Sequence, residues 1–321
     1  MIRNIVKKFL LPQPPARISV NFRNIDPEKR KALEDRLIKQ YFNSNHQYLS
    51  TADGRSDLED HLYRRLYVFR DTIIPWLDSA VRLSGAKVLE IGCGTGSSTV
   101  ALAEQGARIV GVDIIEKDLE VAEYRCNLYG LDARFVKANA VDVHKLFKEE
   151  RFDLIIFFAA LEHMTISERL QAIANTWQML EQGKFWCVTG SPNRLWYFDD
   201  HTACLPFFHW LPDELAFYYS KYSPKKSISE QYRELNPQTM LHFLRRGRGI
   251  SYHEFEIAIG RADTFNVVSA LGLFNRKRSL ARRLLWNLKP YARFERFLIK
   301  NAPPSIHRGF FQPYLDLIIQ K

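Results

Sequence analysis

Residues 88–96 read Val-Leu-Glu-Ile-Gly-Cys-Gly-Thr-Gly, an apolar run that carries one acid and then breaks into glycines at alternate positions. No other stretch of the chain restricts its fold as tightly. The apolar run predicts a buried strand. Gly92, Gly94 and Gly96 let the backbone turn sharply and come close to a ligand with no Cβ in the way. Residues 97–104 can then begin a helix whose free amides point back at that ligand.

Three further short strands follow, at 108–113, 133–140 and 152–158. Residues 184–190 give a fifth, and two late candidates lie at 249–258 and 313–319. Alternation of strand and helix from Lys87 to Lys184 argues a parallel sheet with helices on both faces. A bare Gly-x-Gly-x-Gly also opens dinucleotide-binding folds. What separates this chain from them is Glu90, two residues before the first glycine; Asp113 at the end of strand two and Asn139 at the end of strand three complete an ordered set.

This ordered set resembles the class I S-adenosylmethionine-dependent methyltransferase family over roughly residues 85–190. The resemblance implies a doubly wound, mainly parallel seven-stranded sheet with an antiparallel edge. It implies a helical extension at 1–84, a methyltransferase domain at 85–321, a substrate lid inserted at 191–248 between strands five and six, and a basic helical insertion at 261–311 between strands six and seven. It places Gly92–Gly96, with Cys93 and Thr95, under the amino-acid part of S-adenosylmethionine and Glu90 near its amino group. Asp113 would bind the ribose, Ile114 would lie against the adenine, and Asn139 with Ala140 would meet the adenine edge. The stretch from Phe158 to Glu162 would lie beside the methionine moiety. A helix ahead of the first strand would pack over the cofactor cleft.

The insertion at 191–248 is rich in aromatic residues, and loops beyond the carboxyl ends of parallel strands frame the ligand crevice. Arg194, Trp196, Tyr197 and Trp210 are therefore candidate acceptor-binding residues. Methyl transfer asks the protein to position the acceptor and, for a hydroxyl, to remove its proton. His201 follows Asp199 and Asp200, which can orient an imidazole, so it is the first candidate base; His163 and His209 are the others. In ubiquinone-type O-methyltransferases a Glu-x-x-Glu-His stretch after the fourth strand is associated with metal binding. Here Ala159 holds the first acidic position, so no metal is expected, and Glu162 is expected to cap or brace the following helix.

With 321 residues, 46% of them hydrophobic, the chain can bury a full domain core. No stretch approaches the roughly 20 apolar residues of a membrane span, and the N-terminus lacks a small-residue cleavage site. A cytoplasmic enzyme is expected. Four widely spaced cysteines suggest neither a zinc site nor a disulfide framework. The net charge of +10 concentrates in 275–300, where Leu280, Leu284, Leu285 and Leu288 recur at helical spacing. This segment suits the solvated face of a helix packed on the core or, with Ile2, Ile5, Val6, Phe9, Arg3, Lys7 and Lys8, an anionic membrane surface, and less readily nucleic acid. The expected reaction is methylation of a small-molecule, glycan or lipid-linked acceptor, with oxygen the favoured nucleophile. Two alternatives are an RNA methyltransferase and a cofactor-binding protein without catalysis.

Overall fold

The computed structural model describes residues 23–278, 281, 284, 286, 287 and 290–321. The N-terminal residues Ile2 to Phe9 assigned to a membrane contact lie outside the described residues. So do Leu280, Leu285, Leu288, Arg282 and Arg283, and the side chain of Arg278.

Seven strands form one sheet: β1 (Lys87–Ile91), β2 (Arg108–Asp113), β3 (Arg134–Lys137), β4 (Leu154–Phe158), β5 (Phe185–Pro192), β6 (Asn266–Ala270) and β7 (Tyr314–Gln320). Their order is β3-β2-β1-β4-β5-β7-β6. Strands β1 to β5 run parallel, and β7 pairs antiparallel with both β5 and β6. The expected mainly parallel seven-stranded sheet is therefore present.

Period-two alternation divides the strand residues between two cores. Leu89, Ile91, Ile155, Phe157 and Trp186 face one side. Val88, Ile109, Leu154, Ile156 and Cys187 face the other, against Trp76 and Leu77 of the N-terminal extension and Val100 of the helix Ser97–Ala103. That extension is helical from Ala52 to Asp78, with wide π-type turns at Asp60–Arg64 and Phe69–Ile73. Ahead of it the helix Pro27–Arg36 is capped by Asp26, whose carboxylate accepts from the amide of Lys29.

One expected strand is a helix. Residues 249–258 alternate in a way that suits a strand, yet Tyr252–Ile259 is helical. Two adjacent side chains there must both face inward: Phe255 packs edge-on to Trp186 at 5.6 Å, and Glu254 pairs with buried Arg169 at 2.8 Å. Neighbours in a strand point to opposite faces, so a helix satisfies both. The sixth strand is instead Asn266–Ala270, inside the segment expected to be a helical insertion. The two insertions accordingly run from 193 to 265 and from 271 to 313.

Candidate active site

The chain leaves β1 through Gly92, at φ 79°. A Cβ there would stand 2.6 Å from the Ala160 Cβ, so both conformation and space require glycine. At Gly94 a Cβ would meet nothing within 4 Å, so the missing side chain leaves open room in the bend of the loop. The amide of Gly94 donates to Asp113 Oδ2 at 2.9 Å, and that of Ile115 to Oδ1 at 3.1 Å. These bonds fix the carboxylate at the end of β2.

A cavity of about 340 Å³ opens beside this loop. Gly92, Asp113, Ile114, Asn139 and Ala140 line it, as expected. Ala159 and Ala160, from the stretch expected beside the methionine moiety, line it too, while Ile115, Asp118, Met164, Glu168 and Arg245 were not anticipated. Arg245 arrives from the first insertion, a contact that no local pattern announces. Asn139 Oδ1 accepts from the amide of Val141 at 3.1 Å, closing a tight turn. Burial, reinforced by Asp113, pushes the Asp118 carboxyl up to about 7.

Other expected cofactor residues stand behind the wall. Glu90 is fully buried and accepts from the hydroxyls of Ser98 and, at 2.6 Å, Thr99. Burial raises it to about 7 against those two hydrogen bonds. Cys93 is buried beneath the loop, and Phe158 packs edge-on to Phe69 at 5.1 Å. Thr95 is buried too, and holds the N-terminal extension. Arg125, fully buried, donates from Nε to Thr95 O and from Nη2 to His61 O, each at 2.7 Å. Tyr41 lies over His61 with ring centroids 4.0 Å apart. Burial, followed by Arg65 and Arg125, drives His61 down to about 2, so it is a neutral ring.

His163 lines the cavity and stands in a cluster with Glu162 and His201. Glu162 is fully buried; its Oε2 accepts from Ser191 Oγ at 2.7 Å, while Oε1 has no hydrogen-bond partner. The expected cap of the next helix comes instead from Thr165 and Glu168, a reciprocal capping box. Both His163 Nε2 and His201 Nε2 stand 4.0 Å from Glu162 Oε1. His163 Nδ1 meets the carbonyl of Arg245 at 2.9 Å. A carbonyl only accepts, so Nδ1 carries the proton and the neutral ring presents a lone pair at Nε2. His201 Nδ1 lies 3.0 Å from Thr202 Oγ1, whose own proton goes to Gly247 O. Nδ1 is therefore again the donor and Nε2 the bare acceptor. Burial lowers the His201 pKa, with Glu162 pulling the other way.

His209 stands apart. It is buried, its Nδ1 accepts from the amide of Gly249 at 3.1 Å, and its Nε2 faces Asp199 Oδ1 at 3.3 Å. These contacts pin the insertion to itself. Asp199 also departs from its expected task of orienting the His201 ring. It accepts from the backbone amides of His201, Thr202 and Ala203. Burial works against its charge, but His209 and the amides of Thr202 and Ala203 hold it down to about 2. Asp200 takes the Tyr314 hydroxyl at 2.7 Å.

The four expected acceptor residues do not line the cavity. Trp196 is buried, donates to Phe311 O at 3.1 Å, and packs with Tyr291 and Phe294 of the second insertion. Tyr197 packs on Phe294 at 4.9 Å. Arg194 and Trp210 border a separate groove with Phe294 and Phe297. In the basic segment, Arg276 is spent on both oxygens of Glu295 at 2.8 Å and on Gln312.

Residues 88–183 match the sequence family described as a methyltransferase domain, and the matched stretch spans β1 to the turn before β5. The chain carries a methyltransferase domain over these residues. Among relatives, this domain is 33% identical over 104 residues to the ubiquinone biosynthesis O-methyltransferase of Stutzerimonas stutzeri, a match covering 32% of this chain and 44% of that protein. The protein of the same name from Pseudomonas entomophila is 31% identical over 102 residues, covering 32% and 44%. The chain thus spans under half the length of the curated relatives it matches. Among solved structures, magnesium protoporphyrin IX methyltransferase from Synechocystis is 21% identical, with a TM-score of 0.38 over 53% of this chain and 80% of that one. TehB from Haemophilus influenzae is 19% identical, with a TM-score of 0.37 over 51% and 54%. The cavity offers a fixed carboxylate at Asp113 and an apolar strip from Ile114 and Ile115.

Proposed function

We propose that the chain transfers a methyl group from S-adenosylmethionine to a hydroxyl of a small-molecule acceptor seated between the cofactor cavity and the Glu162–His163–His201 cluster. The supporting observation is that His163 belongs both to the cavity lining and to a cluster of three proton-accepting atoms. A hydroxyl becomes a competent nucleophile only when its proton has somewhere to go. When bound, S-adenosylmethionine supplies a methyl carbon that takes the acceptor oxygen's electron pair as the carbon–sulfur bond breaks and its electrons return to sulfur.

The chain's own residues do the rest. Asp113 accepts from the ribose hydroxyls through lone pairs left over by Gly94 and Ile115. The N-terminal extension, held by Arg125 and His61, braces the glycine loop at Thr95. Glu162, His163 and His201 draw the proton from the acceptor. The relatives named as O-methyltransferases favour oxygen over nitrogen as the acceptor atom. The test is incubation with methyl-labelled cofactor and fractionated cell extract. Label in small hydroxylated metabolites is the expected result, and label confined to RNA, glycan or lipid fractions overturns the acceptor assignment.

A further inference from the structure

We infer that Glu162, His163 and His201 form a binding site for one divalent transition-metal ion, of the zinc or manganese kind. The argument begins with an electrostatic conflict. Glu162 Oε1, His163 Nε2 and His201 Nε2 lie within 4.8 Å of one another. All three present lone pairs, because each imidazole has committed its Nδ1 proton to an oxygen. Glu162 is fully buried and its Oε1 has no hydrogen-bond partner. A buried carboxylate oxygen without a partner is costly. With both rings neutral, the three converging acceptors have no donor among them, and a proton or a metal ion at their centre removes the conflict.

The donor set suits a metal. Two imidazoles and a carboxylate are the ligands that divalent first-row ions take when further positions stay open. Ligating histidines generally donate their other N–H to a carbonyl or another oxygen, which fixes the tautomer. Here Arg245 O and Thr202 Oγ1 do this, and Ser191 steadies the carboxylate through Oε2. The ligand set is also not one that a local motif spells out. Ala159 stands where a second acid would be, and the missing ligand comes from His201, 39 positions after Glu162, on the first insertion. Bonds of about 2.0–2.1 Å in a tetrahedral site put ligand atoms about 3.4 Å apart, so the cluster must contract by up to about 1.4 Å. His163 is half exposed and His201 sits on a loop, so both can move. An ion there occupies the same three lone pairs, so it takes over their part in activating the acceptor by lowering the pKa of a hydroxyl it holds, whose proton then leaves to water. That role rests on the proposed methyl transfer; the binding does not.

The experiment is equilibrium dialysis of the chelator-treated full chain against Zn²⁺ and, separately, Mn²⁺, with elemental analysis. Cofactor binding is measured by calorimetry on the same samples. One equivalent bound at micromolar metal is expected, falling at least tenfold in affinity in Glu162→Gln and His201→Gln and unchanged in His253→Ala. Intact cofactor binding in the two cluster variants shows that they are folded. No saturable metal binding, or binding that survives both substitutions, overturns the site. Metal binding without any cofactor binding supports the site and overturns the methyltransferase reading instead.

Discussion

His61 Nδ1 meets Thr95 Oγ1 at 3.3 Å, which fastens the N-terminal extension to the middle of the glycine loop. Arg125 closes the same joint by donating to the carbonyls of both residues. Replacement by an apolar chain of similar length would strip both carbonyls of this charged donor. Each such hydrogen bond is worth about 1.5–3 kcal/mol. Arg125→Met should therefore lower the unfolding free energy in urea by several kcal/mol, and a midpoint equal to wild type would show that the joint carries no load.

Asp113 is held by two amides and keeps spare lone pairs for a ribose. Charge-assisted hydrogen bonds of this type are worth about 1.5–3 kcal/mol. Asp113→Ala should weaken S-adenosylmethionine binding at least tenfold in calorimetry. Unchanged affinity in a folded variant would remove this carboxylate from the site.

His201 stands 4.0 Å from Glu162, in the cluster proposed to activate the acceptor, and does not line the cavity. Loss of such a group typically costs about 10²–10⁴-fold in rate. His201→Gln should depress kcat at saturating acceptor and leave cofactor affinity nearly unchanged. A rise in acceptor KM with normal kcat would reassign His201 to binding alone.

Glu90 gives the stability a pH dependence whose sign follows from its burial. Its ordinary pKa is 4.5 and its folded value about 7, so between these values the folded state holds more protons than the unfolded. Stability from this group therefore falls as pH rises from about 4.5 to about 7. Glu90→Gln cannot titrate. Its melting temperature should gain on that of wild type across this window and keep a constant offset from it at higher pH. A constant difference from pH 4.5 to 7.5 would place the Glu90 pKa near its ordinary value.

Much of the sheet and part of the site were legible because they are local. β1, β2 and β4 declare themselves as apolar runs, and the glycine loop with Asp113 lies within 26 residues of sequence. What escaped depends on distant partners. Residues 249–258 alternate like a strand, but Arg169 and Trp186, more than sixty positions earlier, turn them into a helix. Trp196 and Tyr197 carry the ring faces of a binding lid, yet the aromatic residues of a second insertion claim them. His201 was found by its acidic neighbours, although those acids bind backbone and Tyr314. Its actual companion, Glu162, was set aside because a motif around it was incomplete.

The strand order also dictates a sequence of events during synthesis. Among the described strands, β6 has β7 as its only neighbour, and 43 residues separate the end of one from the start of the other. Until Tyr314–Gln320 has left the ribosome, Asn266–Ala270 has no ladder to join and β5 exposes a raw edge beside the finished parallel strands. The nascent chain thus holds a nearly complete cofactor fold with an open, apolar flank. Pairing over such a distance is slow and exposes strand edges to aggregation. The half of the molecule that binds its cofactor is ready long before the half that seals it.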